Sequence, residues 1–105
     1  MGVEFSPAAG RDIETIGDYI HAENPAAARR LVSALVTKCE LIARMPRSGA
    51  PRFNLAHGLR SVVLHQYVIF YTVEDDGSDF RIQRILHGAR DIDAAFTDSD
   101  PGSQG

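Results

Sequence analysis

Residues 58–91 constrain the fold of this chain more than any other stretch. The runs 59–65, 67–74 and 80–87 are rich in Val, Ile, Phe and Tyr, side chains that favour β-strands. A very short turn joins the first two runs, and the hairpin sequence Asp75-Asp76-Gly77-Ser78 joins the second to the third. The middle run is apolar on both faces, as is typical of a central strand. The stretch therefore predicts a three-stranded antiparallel sheet.

Two amphipathic helices are predicted before this sheet. Ser6-Pro7 and Asn24-Pro25 each place a capping side chain directly before a proline, a combination typical of a helix start. The apolar stripes are Ala9, Ile13, Ile16 and Ile20 in the first helix and Ala28, Leu31, Leu35, Cys39 and Ile42 in the second. Pro46 ends the second helix because its ring cannot continue the hydrogen-bond ladder. The short link between the helices predicts an antiparallel pair.

The complete predicted order is β-α-α-β-β-β, an α+β fold that begins with a short strand at Val3–Phe5. Residues 46–52 are predicted to form an irregular loop, and strict alternation of faces is expected along 80–87. Ile92–Phe96 is expected to add a last helical turn. With 105 residues, the chain has room for one core, which predicts a single domain over 1–96 and a disordered tail over 97–105.

The charges are strongly segregated along the chain. Residues 29–60 carry a net charge of +6, whereas 1–28 carry −4 and 61–105 carry −5. A basic segment of this kind fits a nucleic-acid footprint, a solvated helix face or a dock for an acidic protein, and the overall charge of −3 favours the last two. No apolar run approaches the ~20 residues that span a bilayer, and no secretory signal is recognisable. We expect a cytoplasmic protein with no membrane contact.

Few residues suggest chemistry. The four histidines are scattered and Cys39 is the only cysteine, so the sequence predicts no metal site and no cofactor. If the strands alternate in direction, His65, Tyr67 and His87 meet at one end of the sheet, with Arg90 just beyond. Such a group could perform acid–base cleavage of RNA, but polar residues at strand ends are also common without any catalytic role.

Several words of this sequence, in their order and spacing, resemble the ParE branch of the RelE/ParE toxin superfamily. They are FSPAAGRDIETIGDYI (5–20), NPAAARRLV (24–32), MPRSGAPR (45–52), GLRSV (58–62), YVIFYTV (67–73) and ILHGARD (85–91). The resemblance covers nearly the whole chain up to about Phe96. It implies the toxin of a type II toxin–antitoxin module, neutralised by an antitoxin that wraps its C-terminal segment over the toxin.

The superfamily contains two activities. ParE-type members inhibit DNA gyrase and serve in plasmid stabilisation, whereas RelE-type members cut mRNA on the ribosome with basic and aromatic side chains. Here the first long strand reads Val62-Val63-Leu64 where the nucleases present cations, and the only lysine, Lys38, belongs to the second helix. The expected function is therefore gyrase inhibition without catalysis. The alternatives are a ribosome-dependent endoribonuclease that uses His65, Tyr67, Arg84, His87 and Arg90, and a non-toxic partner of an antitoxin.

The expected partners are a ParD-like antitoxin in a hetero-oligomer, DNA gyrase, and operator DNA only indirectly through the antitoxin. An acidic and apolar antitoxin segment would suit the basic second helix and the loop that follows it. The predicted antitoxin-binding residues are Arg29, Arg30, Leu31, Leu35, Arg44, Arg47 and Arg52. The predicted gyrase-facing residues are His87, Gly88, Arg90 and Asp91.

Overall fold

The predicted helical hairpin is present. A computed structural model describes residues 3–73 and 79–88 together with Ile92 and Phe96. Helix α1 spans Pro7–His21 and helix α2 spans Pro25–Arg44, and the two pack against each other. Ser6 and Asn24 cap them through their side chains, which accept the N–H groups of Ala9 and Ala27. The hairpin therefore begins where the sequence predicts it.

The sheet has four antiparallel strands in the order β1-β2-β3-β4. A 3₁₀ turn at Pro46–Ser48 leads into the first strand. The strands are β1 (Ala50–Pro51), β2 (Leu59–Leu64), β3 (Tyr67–Thr72) and β4 (Arg81–His87). As predicted, β3 is the central strand, with both of its faces buried. These elements confirm the α+β fold.

Two details at the margins of the sheet differ from the prediction. The expected first strand is reduced to one parallel bridge between Phe5 and Ile82, because Ser6 already caps α1 and turns the chain away. In the segment predicted to be an irregular loop, β1 pairs with Ser61 and Arg60 of β2. The short strand at 50–51 forms because the loop is held down on the sheet by contacts described below.

A β-bulge breaks the predicted alternation along β4. Phe70 pairs with Arg84, but the next residue of β3, Tyr71, pairs with Ile82, so Gln83 is an extra residue on β4. The prediction of strict alternation over 80–87 was therefore wrong. Its consequence is that Ile82 and Ile85, three positions apart, both face the helices and are fully buried.

The sheet is covered on both faces. On the helix side, the core includes Leu35, Cys39, Ile69 and Tyr71. On the far side, Phe70 and its neighbours are covered by Leu55, Ala56, Leu86, Ile92 and Phe96. The Phe96 ring meets Phe70 edge-on, with the ring centroids 4.8 Å apart. The expected C-terminal turn thus contributes apolar cover through its two described residues. The predicted acidic turn at 75–78 and the predicted tail at 97–105 lie outside the described residues.

Candidate functional site

The basic residues predicted to bind an antitoxin fall into two groups. Arg29, Arg30 and Leu31 lie near the start of α2, whereas Arg44 ends the helix and Arg47 follows it; Arg52 lies just after β1. Because a helix rises 1.5 Å per residue, Arg30 and Arg44 are about 21 Å apart along the axis. No single cluster is formed, so one partner could contact both groups only by following the length of α2.

Leu35 does not belong to a contact surface. Its side chain is 0% exposed and packs in the core beneath α2. Its place among the predicted antitoxin-binding residues was therefore wrong, because the apolar periodicity that suggested it marks the buried face of the helix. Leu31 is half-buried against the same core.

The loop after α2 is fastened to the sheet by Tyr71. The phenol donates to the carbonyl of Pro46 and accepts the Gly49 N–H at 3.0 Å. Burial raises the pKa of Tyr71 above its ordinary value, so the hydroxyl keeps its proton for this donation. A Cβ at position 49 would lie 2.4 Å from the Tyr71 Oη and 3.0 Å from the Ser61 carbonyl oxygen. Glycine is required here by close approach.

Two arginines complete this fastening. Arg60 donates to the carbonyls of Gly49 at 2.9 Å and Arg47 at 3.2 Å, and its guanidinium lies 5.6 Å from the centroid of the Phe53 ring. Arg52 donates through Nε to the Ser61 Oγ at 2.9 Å. Both cations thus hold backbone and side chains of the loop. Sequence reasoning did not predict this role for Arg60, since the partner atoms are main-chain carbonyls that no sequence pattern reveals.

Part of the alternative catalytic set does come together. Tyr67 and His87 are cross-strand partners on β3 and β4, and their rings meet edge-on with centroids 5.5 Å apart. His65 is exposed in the adjacent two-residue turn with φ 55°, a conformation that favours glycine. The Gly88 N–H donates to the Gln66 carbonyl at 2.7 Å, which closes this end of the sheet.

Arg84, another member of that set, is held by an acid. Its Nε and Nη2 donate to the Asp12 carboxylate at 2.8 and 3.0 Å, and the Ile85 N–H donates to the same carboxylate at 2.9 Å. The hydrogen bonds to Asp12 raise the pKa of Arg84 further. This two-pronged ion pair fastens α1 to the edge of β4. Arg90 and Asp91, which complete the catalytic and gyrase-facing predictions, lie outside the described residues.

Other kinds of site find no support in the described part of the chain. Among residues 3–73, 79–88, 92 and 96, no three His, Cys, Asp or Glu side chains are grouped as metal ligands. Cys39 is buried, and this burial raises the pKa of its thiol to about 12. None of the described helices is long and apolar enough to cross a membrane.

Comparison with known proteins decides the family. No curated protein sequence matches the chain. Residues 3–92 match the model of the ParE toxin of the type II toxin–antitoxin system, parDE. The chain belongs to the ParE toxin family. The resemblance noted from the sequence words is thereby confirmed over the same part of the chain.

Two solved structures share the fold of this ParE-family protein. A chain of the chromosomal ParDE toxin–antitoxin system from P. aeruginosa matches with a TM-score of 0.69 and 22% identity, over 83% of this chain and 95% of that chain. A chain of the RelBE2 toxin–antitoxin complex from Mycobacterium tuberculosis matches with a TM-score of 0.58 and 29% identity, over 82% of this chain and 95% of that chain. The likeness covers the helical hairpin and the sheet together.

Proposed function

We propose that this ParE-family toxin inhibits DNA gyrase and is neutralised by direct binding of a cognate ParD-like antitoxin. The observation that carries the proposal is the family match over residues 3–92. The fold shared with a ParDE system is consistent with it. In such a module the toxin and the antitoxin form a hetero-oligomer, and operator DNA is contacted only through the antitoxin.

The condition of the sheet favours binding over catalysis. Cleavage of RNA by its own 2′-hydroxyl needs a base, an acid and a cation that stabilises the charge on phosphorus. Arg84 is occupied by Asp12, and Arg60 is occupied by loop carbonyls. Each cation would have to leave existing hydrogen bonds before it could meet a phosphate.

The gyrase-facing surface is proposed at the end of β4. His87 and Gly88 lie at the strand end that the His65–Gln66 turn closes, and Arg90 and Asp91 follow in the sequence. Gly88 is exposed, and a Cβ there would meet the Gln66 carbonyl oxygen at an ordinary 3.4 Å. Substitution at this position therefore changes the surface with little disturbance to the fold.

The test is inhibition of gyrase supercoiling by the purified toxin. We expect inhibition at micromolar toxin, with loss of at least tenfold in potency for Gly88→Glu and none for the control Tyr19→Ala, an exposed residue on α1. Decatenation by topoisomerase IV, run in parallel, identifies which enzyme is the target. Undiminished supercoiling at micromolar wild-type toxin would refute the proposal.

A ribosome-dependent endoribonuclease is the second candidate. The Tyr67–His87 ring contact, beside the exposed His65, is the observation that favours it. Primer extension on cellular mRNA after induction separates the two functions. Cleavage within codons that disappears in the double variant His65→Ala and His87→Ala would establish the nuclease and displace gyrase inhibition.

A further inference from the structure

The outward face of α2 carries a continuous stripe of apolar and cationic side chains. Residues 30, 34, 37, 41 and 45 follow one another at helical spacing and share one side of α2. The stripe, which we call the α2 outer stripe, comprises Arg30, Ala34, Thr37, Lys38, Leu41, Arg44 and Met45. It lies opposite the buried face formed by Leu35, Cys39 and Ile42, so it takes no part in the core.

Two large apolar side chains of the stripe face solvent. Leu41 is 49% exposed and Met45 is 68% exposed. They are four residues apart, so their side chains are neighbours on the helix surface. Single exposed apolar residues are ordinary, but a pair in register on an otherwise cationic face is the pattern of an anchor for a partner helix.

The charge of the stripe has one sign. Arg30, Lys38 and Arg44 are its ionisable members, and Glu40, the acid of this helix, lies about 100° away from Leu41 around the axis. In the described part of the chain, no ion pair or hydrogen bond engages these three side chains. A partner segment that supplies carboxylates would therefore meet cations that have no competing protein contacts.

The free edges of the sheet are poorly suited to accept an added strand. The edge of β4 is occupied at Ile82 by the backbone of residues 4–6 and at Ile85 by the Asp12 carboxylate. At the opposite edge, β1 consists of two residues, one of which is Pro51 with no N–H to donate. A partner thus gains more from side-chain contact along α2 than from strand pairing.

We infer that the α2 outer stripe binds an acidic amphipathic helix of the antitoxin. This inference rests on the proposed function and adds to it the binding surface and the conformation of the partner. Apolar residues of the partner helix pack on Ala34, Leu41 and Met45, and its carboxylates pair with Arg30, Lys38 and Arg44. The stripe is about 22 Å long, the length of a helix of about 15 residues.

The central position of the apolar pair argues against nucleic acid as the occupant. Phosphate contacts need cations but gain nothing from Leu41 and Met45. The overall charge of −3 also opposes the approach of a polyanion. An acidic amphipathic helix satisfies the apolar and the cationic members of the stripe together.

The first test measures the affinity of the toxin for the protein encoded by the reading frame that adjoins the toxin gene. We expect the double variant Leu41→Ala and Met45→Ala to bind at least about tenfold more weakly than the wild type, since truncated anchors dominate interface energies. The control is Tyr19→Ala, which removes an apolar side chain that is 75% exposed on α1. All of these side chains are at the surface, and thermal unfolding verifies that each variant is folded.

A second pair of variants tests the direction of the stripe. Arg30 belongs to the stripe, whereas its exposed neighbour Arg29 projects about 100° away around the helix. We expect Arg30→Ala to weaken binding about three- to tenfold and Arg29→Ala to leave it unchanged. Equal losses in the two variants would indicate undirected charge attraction and would overturn the inference.

The conformation of the partner supplies a further readout. Circular dichroism of the isolated C-terminal segment of the antitoxin should show added helix when the toxin is present, and added strand would refute the helical occupant. Affinity unchanged by Leu41→Ala and Met45→Ala would refute the α2 outer stripe while leaving the proposed function intact. Wild-type toxin that does not bind the antitoxin at all would refute the antitoxin partner itself. Binding of a 20-base-pair DNA duplex that depends on Arg30 and Arg44 but not on Leu41 would assign the surface to nucleic acid.

Discussion

The two helices of the hairpin have the same origin in the sequence and opposite uses for their polar residues. Both begin with a capping side chain before a proline, and both bury an apolar stripe. On α1, Ser6 donates to the Gln83 carbonyl at 2.7 Å, and Asp12 holds Arg84 and the Ile85 N–H. On α2, the cations of the outer stripe contact no other described side chain.

This difference separates structural polar residues from those available to a partner. A charge that already has a geometric partner within the chain contributes to stability, and it must give up that partner before it can bind anything else. A charge that faces water unpaired contributes little to stability and can be removed without cost to the fold. Variants in α1 should therefore change the free energy of unfolding, whereas variants on the outer face of α2 should change binding.

The largest expected effect belongs to Asp12→Ala. This change leaves Arg84, whose side chain is 26% exposed, without its carboxylate and the Ile85 N–H without its acceptor. We expect unfolding in urea to show a loss of about 2–3 kcal/mol. The control is Asp18→Ala, an exposed acid on the same helix, which should stay within about 0.5 kcal/mol of the wild type. Equal losses would show that α1 is not fastened through Asp12.

A comparison of the two helix caps gives a smaller effect. Ser6 is buried and serves both as the cap of α1 and as a donor to β4, whereas the Asn24 cap is exposed. We expect Ser6→Ala to cost about 2 kcal/mol and Asn24→Ala about 1 kcal/mol, measured by urea unfolding. A larger loss at Asn24 would contradict the view that α1 is the more firmly anchored helix.

The buried face of α2 can be tested by pH. Burial raises the pKa of Cys39 from its ordinary 9.0 to about 12, so the folded chain keeps the thiol proton where the unfolded chain has lost it. The stabilising contribution is complete below pH 9 and is lost as the pH rises towards 12. We expect the free energy of unfolding of wild type to fall over this interval, and that of Cys39→Ala to fall less steeply. Parallel pH profiles would contradict this assignment.

The smallest effect on stability is expected from the outer stripe of α2. The double variant Arg30→Ala and Arg44→Ala removes two exposed charges with no protein contact and introduces the best helix former. We expect the free energy of unfolding to stay within about 0.5 kcal/mol of wild type, while antitoxin affinity falls. A loss above about 1 kcal/mol would show that these arginines stabilise the fold after all.

Particular elements show how far sequence reasoning reached. Both helix starts and the central strand were predicted because capping, proline geometry and apolar periodicity act over a few neighbouring residues. The bulge at Gln83 was missed, since the register of one strand depends on its partner. The placement of Leu35 was wrong for a related reason: a stripe of apolar residues shows that a face will be buried but not which face remains free.

The sequence by itself determined the hairpin, the strand order, the segregation of charge and the family. Only the tertiary structure decided which cations are occupied: Arg84 by Asp12, and Arg60 by carbonyls of the loop that Tyr71 fastens. These partners are separated from one another by 11 to 72 positions in the chain. Local propensities cannot encode contacts over such separations, because they form only when helix and sheet pack around a shared core.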